Sequence, residues 1–280
     1  MRKRRPLEME IKAQAKINLC LHVVGQRDDG YHLLDSIVVF ADIGDDIWLK
    51  PDSKYSLEID GPYGAGLSNG ADNLVLRAAK IYEHKYAGAK IRLTKNLPIS
   101  SGIGGGSADA AAVLRGMSKL SREPLPVDLG LSLGADVPVC VMGKACRMRG
   151  IGDELTPLNH IPKMHAVLVN PNVSVSTPDI FRALDCKTNP AIKDLAEGDF
   201  TEMLNNTRND LQNTAIQMQP VIADSLNSLA RTNAIFSRMS GSGATCFGLF
   251  KTATKASNAA EIIQNDHPDW WVKACVLNGA

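Results

Sequence analysis

The stretch LPISSGIGGGSADAA, residues 97–111, limits what this chain can fold into more than any other: four glycines and three serines lead straight into an alanine-rich run. Glycine permits positive φ and a close approach of backbone to ligand, and the first turn of a helix leaves N–H groups without intrahelical partners. Gly-Ser clusters also serve as flexible linkers. A linker, however, does not run directly into a helix. Ser107 is placed to cap one, and Ala108, Ala110, Ala111, Ala112, Val113, Leu114 and Met117 supply helix formers and an apolar face. The favoured reading is an anion cradle, because a helix start binds phosphate through its free N–H groups and its dipole. Two common phosphate loops are excluded. No Lys follows Gly106, so the Walker pattern is absent, and Ser107 stands where G-x-G-x-x-G requires its last glycine. Pro-x-x-x-Gly-x-Gly-Gly-Gly-Ser is a third solution to the same electrostatic problem.

The 280 residues, 44% apolar and 22% charged, suffice for a sizeable core and for two domains. A formal net charge of +1 and 5% aromatic content argue against a nucleic-acid partner. The opening MRKRRP is read as a solvated tail in preference to a targeting or nucleic-acid arm. No apolar stretch has the length of a membrane span, and none follows the basic opening as a signal peptide requires, so a cytoplasmic protein without a membrane partner is expected. Cys20, Cys140, Cys146, Cys186, Cys246 and Cys275 lack metal-ligand spacing and are read as free thiols, with Cys140, Cys246 and Cys275 in apolar runs.

Along the chain, residues 9–25 alternate like a strand, and residues 33–50 resume strand character after QRDDGYH. Residues 72–86 predict a helix capped by Asp72, with Leu74, Ala78, Ile81 and Tyr82 on one face. A strand is expected in residues 88–98, then the glycine loop and its helix, a short helix at 127–134, and a hairpin at 135–150 turning at Gly143-Lys144. Beyond Pro162 the pattern restarts with a strand at 165–171, helix from about Asp179, helices between Ala191 and Arg231, strands at 235–240 and 243–250, a helix near 256–264 and a closing strand at 270–278. Such mixing without βαβ regularity is α+β in two halves, 1–161 and 162–280.

Four stretches hold the candidate chemistry: AKINLCLHVVGQRDDGYH, LPISSGIGGGSADAA, LGADVPVC and MSGSGATCFGLF. Together they resemble the GHMP kinase superfamily, the small-molecule kinases of galactose, homoserine, mevalonate and phosphomevalonate. The resemblance runs from about Lys12 to Phe250 and is weakest between Ala191 and Arg231. It implies the two-domain GHMP kinase fold, with a ribosomal-S5-like N-terminal ATP-binding domain and a ferredoxin-like C-terminal domain. It also implies ATP and Mg²⁺ as cofactors and transfer of the γ-phosphoryl group to an alcohol. One departure stands out: Ser100 and Ser101 occupy positions where the family usually has Gly or Ala.

Individual residues carry two readings each. Asp136 by itself is a turn-capping Asp; the resemblance makes it the general base. Lys16, in an apolar strand, either snorkels to the strand edge or needs a buried partner. The resemblance places it beside Asp136 and the acceptor hydroxyl, where a cation keeps a carboxylate ionised and stabilises alkoxide charge. Asn18 shares its strand face and is either an ordinary polar position or a hydrogen-bond partner of the acceptor's polyol. Tyr31 and His32 follow a turn signal and by themselves are solvated. The family branch that carries Gly-Tyr-His uses it to line a cytidine pocket, with Phe181, otherwise a helix-core residue, as a second aromatic wall. The implied acceptor is then cytidine-diphospho-methylerythritol, phosphorylated on its 2-hydroxyl in non-mevalonate isoprenoid synthesis, by a monomer or weak homodimer. For the nucleotide, the resemblance assigns Pro98, Gly102, Ile103, Gly104, Gly105, Gly106 and Ser107, with Ser107 also reaching Mg²⁺. Lys95 is either a contact to ATP or the acceptor, or a solvated strand end, and Ser242, in a Gly-Ser-Gly turn, is either a third superfamily motif or part of any hairpin.

Overall fold

The computed structural model describes residues 8–193 and 200–279; the tail expected at residues 1–6 lies outside them. In chain order the elements are β1 (Met9–Gln26), β2 (His32–Pro51), β3 (Ser56–Asp60), α1 (Leu74–Lys80), β4 (Ala89–Thr94), α2 (Gly105–Ser121) and α3 (Val137–Met142). There follow β5 (Cys146–Gly150), β6 (Glu154–Pro157), β7 (Met164–Asn170), α4 (Thr177–Arg182), α5 (Phe200–Asn205), α6 (Gln212–Met218) and α7 (Val221–Arg231). The chain closes with β8 (Phe236–Met239), β9 (Cys246–Phe250), α8 (Ala253–Asp266) and β10 (Trp271–Leu277). They build two compact units. Among the described residues, one comprises 8–15, 43–99 and 105–143, the other 16–42, 100–104, 144–193 and 200–279, so β1 and β2 each supply residues to both.

In the first unit, the later half of β2 pairs antiparallel with β4 from Asp46 opposite Thr94 to Pro51 opposite Ala89, and β3 adds parallel to β4. Helix α2 lies close against this sheet: a Cβ at Gly116 would meet Leu49 and Ile11 side-chain carbons at 2.7 and 2.8 Å. Its buried residues include four alanines, Ala108, Ala110, Ala111 and Ala112, and their small size lets a helix be covered on most of its circumference. Tyr82, following α1, donates its hydroxyl to the carbonyls of Leu114 and Pro124 at 3.4 and 3.2 Å.

In the second unit, residues Leu34 to Val38 of β2 pair antiparallel with β5, which pairs with β6. The four strands β10, β7, β9 and β8 lie in that order, every neighbour antiparallel. With helices between β7 and β8 and between β9 and β10, the connectivity is β-α-β-β-α-β, the ferredoxin-like arrangement that the family resemblance implies. Its core joins Val167, Val169, Cys246 and Phe250 of the sheet to Ile222, Leu229, Ala259 and Ile263 of α7 and α8.

Three sequence expectations are corrected. The cap of α1 is Asn73, whose side chain accepts the Val75 N–H at 2.9 Å, whereas Asp72 accepts the Ser68 hydroxyl at 2.7 Å. Residues 127–134 form successive tight turns rather than a helix, because Leu129 and Gly130 both take positive φ, +48° and +84°. The expected hairpin at 135–150 is instead α3 followed by β5. Proline fits the first turn of a helix, where Pro138 stands, and Gly143 ends it in the left-handed region at φ 59°.

All six cysteines are free thiols, buried except for Cys186. Among the described residues no helix is long and apolar enough to cross a membrane.

Candidate active site

In the second unit, Lys16 and Asn18 project from the same face of β1 and are buried. The Lys16 N–H donates to the carbonyl of Ile103 at 3.0 Å. The Asn18 N–H donates to the Ser240 hydroxyl at 3.0 Å, which in turn donates to the Gly102 carbonyl at 3.1 Å. The Thr245 N–H adds a bond to the Ser101 carbonyl at 3.1 Å. Residues 101–103 are thus clamped between β1 and the Ser240–Thr245 turn. The clamp leaves no room for a side chain: a Cβ on Gly102, at φ +71°, would stand 2.4 Å from the Ser240 carbonyl oxygen. Asn18 has one further property. Its Nδ2 donates to Ser36 Oγ at 2.8 Å, while its buried Oδ1 has no hydrogen-bond partner. A buried acceptor left open in this way is fitted to a hydroxyl donor from a ligand.

The Gly241-Ser242-Gly243 turn is held from below by Asn209, whose Nδ2 donates to the carbonyls of Met239 and Gly241, both at 2.8 Å. Ser242 shares a hydrogen bond of 2.7 Å with Thr177 at the start of α4. On the same helix Phe181 stacks on the His32 ring, centroids 4.8 Å apart and planes 25° from parallel. Phe181 also packs on the unit's core, as its helix-core reading expects. His32 Nε2 is buried and unpartnered. Burial, with the nearby Lys187 charge, holds the His32 pKa below its ordinary value, so the ring is neutral near pH 7. Tyr31 is 58% exposed, an aromatic ring offered to solvent beside that pair in the chain.

The first unit holds the remaining candidates. Helix α2 begins at Gly105, so Ser107 lies inside its first turn and is not the cap that the sequence suggested. Gly106 is exposed, and among the described residues the Ser107 hydroxyl has no hydrogen-bond partner. At this helix start Gly106 is exposed and Ser107 half-buried, and the first-turn N–H groups have no intrahelical partner. Asp136 precedes α3 in the cap position, and its side chain makes no capping hydrogen bond. Arg115 of α2 donates to the Cys140 carbonyl of α3 at 2.6 Å, tying the two helices together.

Lys95 is not a solvated strand end. Its ammonium is buried between Asp45 and Asp109, with Asp109 Oδ2 at 2.7 Å. Burial alone would lower its pKa, yet the two carboxylates outweigh that and raise it. Asp109 is pushed up by burial and by the Asp45 charge, against the pull of Lys95. Asp45, Asp109 and Asn209 were missed in the sequence. A signal existed for two of them: strand parity puts Asp45 with the buried Ile47 and Leu49, and Asp109 interrupts a run of buried alanines. Asn209 lies in a loop and had none.

The chain matches the model of the GHMP kinases N terminal domain over residues 73–146 and that of the GHMP kinases C terminal over residues 191–269. It is 53% identical to a 4-diphosphocytidyl-2-C-methyl-D-erythritol kinase of Ruegeria pomeroyi, covering 95% of this chain and 98% of that one. A kinase of the same name from Rhizobium etli is 46% identical, with 94% and 93% covered. Among solved structures, a 4-(cytidine 5'-diphospho)-2C-methyl-D-erythritol kinase is similar at a TM-score of 0.80 and 32% identity, covering 97% of this chain and all of that one. A homoserine kinase from Cytophaga hutchinsonii shares the fold, with a TM-score of 0.68 at 17% identity and 99% and 96% covered.

Proposed function

Because the chain belongs to the GHMP kinase family, in the branch of the 4-diphosphocytidyl-2-C-methyl-D-erythritol kinases, we propose that it transfers the γ-phosphoryl group of ATP to the 2-hydroxyl of 4-diphosphocytidyl-2-C-methyl-D-erythritol. It is an ATP-dependent kinase of isoprenoid synthesis. The division of labour at 161/162 is part of the proposal, supported by family matches that fall on either side of it.

The residue roles follow from chemistry. Asp136 takes the proton of the acceptor hydroxyl, a task for a carboxylate that is positioned and ionised, and its place in the Gly-Ala-Asp-Val-Pro segment at the start of α3 supports that role. Lys16 supplies positive charge to the developing alkoxide. Asn18 accepts a hydrogen bond from the acceptor through Oδ1. His32, Phe181 and Tyr31 receive the cytosine ring: a neutral imidazole with an open Nε2 reads the base edge, and the aromatic faces stack on it. On the nucleotide side, Pro98, the chain from Gly102 to Ser107, and Ser242 hold ATP; the Lys95 side chain is committed to Asp45 and Asp109. Ser107 Oγ is the oxygen donor suited to Mg²⁺, which when bound neutralises phosphate charge. Phosphoryl transfer asks little covalent chemistry of a protein, so these residues position and stabilise. A cytoplasmic location is supported by the unpaired cysteines.

The observation that carries the reading is the open start of α2, where Gly106 is exposed and a Cβ on it would find only Leu74 Cδ1 within 4 Å, at 3.8 Å. The test is a coupled ADP-release assay with MgATP and four acceptors: the cytidine compound, homoserine, mevalonate and galactose. Turnover with the cytidine compound alone is expected. Turnover with another acceptor refutes the roles of Tyr31 and His32, and silence with all four in folded protein refutes the kinase assignment.

A further inference from the structure

Glycine-rich chain is costly to hold in one shape, and a cradle of N–H donors is effective only when it is held so before the phosphates arrive. In the first unit, both ends of the glycine segment are tied to one buried cluster. At the entry, Asp45 Oδ1 accepts the N–H groups of Asn96 and Leu97 at 2.6 and 2.8 Å. At the exit, Asp109, in the opening turns of α2, accepts from Lys95 Nζ at 2.7 Å. Lys95 Nζ joins the two ends, because it also donates to Asp45 Oδ2. Side-chain exposure is 4% for Lys95, 0% for Asp45 and 3% for Asp109, so the ammonium has no route to a ligand without abandoning two buried carboxylates. It also lies directly beneath the helix start: a Cβ on Gly105 would stand 3.0 Å from Nζ. A side chain at Gly105 would therefore press on the cluster.

From this geometry we infer that Lys95 is a positioning residue which, through Asp45 and Asp109, fixes the entry and exit of the phosphate loop, and that its side chain is not a nucleotide ligand. The inference rests on the reading of Gly102 to Ser107 as the ATP cradle. Asp45 keeps two amide donors even without the ammonium, so its charge remains partly satisfied. Asp109 does not, since its Oδ1 has no partner and its Oδ2 accepts from Lys95, with the like-charged Asp45 carboxylate beside it. Removing Lys95 alone should thus disorder the exit of the loop, and removing Asp109 with it should restore an apolar, ordered contact.

The test compares Lys95→Met, Asp109→Asn and the double variant Lys95→Met/Asp109→Leu in the full chain, with KM for ATP, KM for the acceptor, kcat and melting temperature measured for each. Lys95→Met is expected to raise KM for ATP by about tenfold or more, and the double variant to return it to within about threefold of the parent, as coupled sites do. A nucleotide-ligand role for Lys95 gives the opposite: the double variant binds ATP as poorly as Lys95→Met. Should Lys95→Met fail to fold, Asp109→Asn decides. It leaves the ammonium in place but loosens the loop's exit, so KM for ATP rises severalfold with KM for the acceptor unchanged. An ammonium that binds phosphate, once freed, would lower KM for ATP instead and overturn the inference. Gly106→Ala separates the two levels. If it leaves KM for ATP unchanged, the cradle reading falls and takes this inference with it; if it raises KM while the double variant shows no rescue, only the inference about Lys95 falls.

Discussion

Gly106→Ala should make the protein more stable and a worse kinase, and each half of that statement has its own physical source. Gly106 is the second residue of α2 and does not take a left-handed φ. The nearest atom to an added Cβ is Leu74 Cδ1 at 3.8 Å, an ordinary contact. Alanine in a helix gains roughly 0.5–1 kcal/mol over glycine, so the melting temperature should rise by about 1–3 °C for a chain of this size. The same methyl, however, stands on the open face from which phosphate must approach the N–H groups. A displacement of about 1 Å at a reacting group is worth on the order of 100-fold, and a tenfold rise in KM for ATP, about 1.4 kcal/mol, is a conservative expectation. Thermal unfolding and an ATP titration in the ADP-release assay measure the two halves. A higher melting temperature with unchanged KM would show that no phosphate comes near Gly106. A melting temperature several degrees lower would refute the steric reasoning. Gly102→Ala is the contrast, since left-handed strain of about 1–2 kcal/mol and overlap with backbone of about 1–3 kcal/mol both oppose folding there.

Asp136→Asn should lower kcat by about 10²–10⁴-fold while ATP still raises the melting temperature as in the parent; retained turnover removes Asp136 as the base. Asn209→Ala strands the Met239 and Gly241 carbonyls and should cost about 2–4 kcal/mol in denaturant unfolding, a loss under about 0.5 kcal/mol showing that the turn holds itself. Arg115→Met frees α3 from α2 and should lower kcat more than it raises either KM; equal effects on all three would sever Arg115 from Asp136. His22 donates through Nδ1 to the Pro190 carbonyl and accepts the Arg208 N–H at Nε2, both at 3.1 Å, and burial with the Arg208 charge holds its pKa below 6.5. With the folded value below the unfolded one, its contribution is complete above pH 6.5 and is lost as pH falls beneath it. Melting temperature should therefore decline on acidification through that range, and His22→Gln should flatten the decline; an unchanged slope would place the titration elsewhere.

Much of the fold was legible because burial writes a period into the chain. Alternation located β1 and β2 within a residue or two, and the alanine run announced α2. The errors fell where no period exists. VPVCVM is apolar throughout, and a short apolar run does not say whether it is strand or helix; Pro138 and Gly143 held the answer. In VDLGLSLG the leucines recur at every second position, which is no helical period, and the chain leaves the helical region at Leu129 and Gly130. The cap of α1 moved by one residue from Asp72 to Asn73, two adjacent residues of nearly equal capping preference.

The site was legible in its donors and nucleophiles and not in the groups that hold them. Lys16 in an apolar strand demands a partner, and Lys95, at the end of a strand whose Ile91 and Leu93 are buried, makes the same demand. Alternation from those two residues points the Lys95 side chain inward as well. An inward ammonium requires inward carboxylates, and two were available: Asp45, in register with Ile47 and Leu49, and Asp109, inside an alanine run that no solvent-facing helix position explains. Neither carboxylate is near Lys95 in sequence, the separations being 50 and 14 positions, so no local window contains the triad. Charge parity on buried faces does contain it. A buried cation therefore predicts its own counterions from strand and helix phase alone, and in this chain that rule separates the lysine that steadies the loop from the backbone that the loop offers to phosphate.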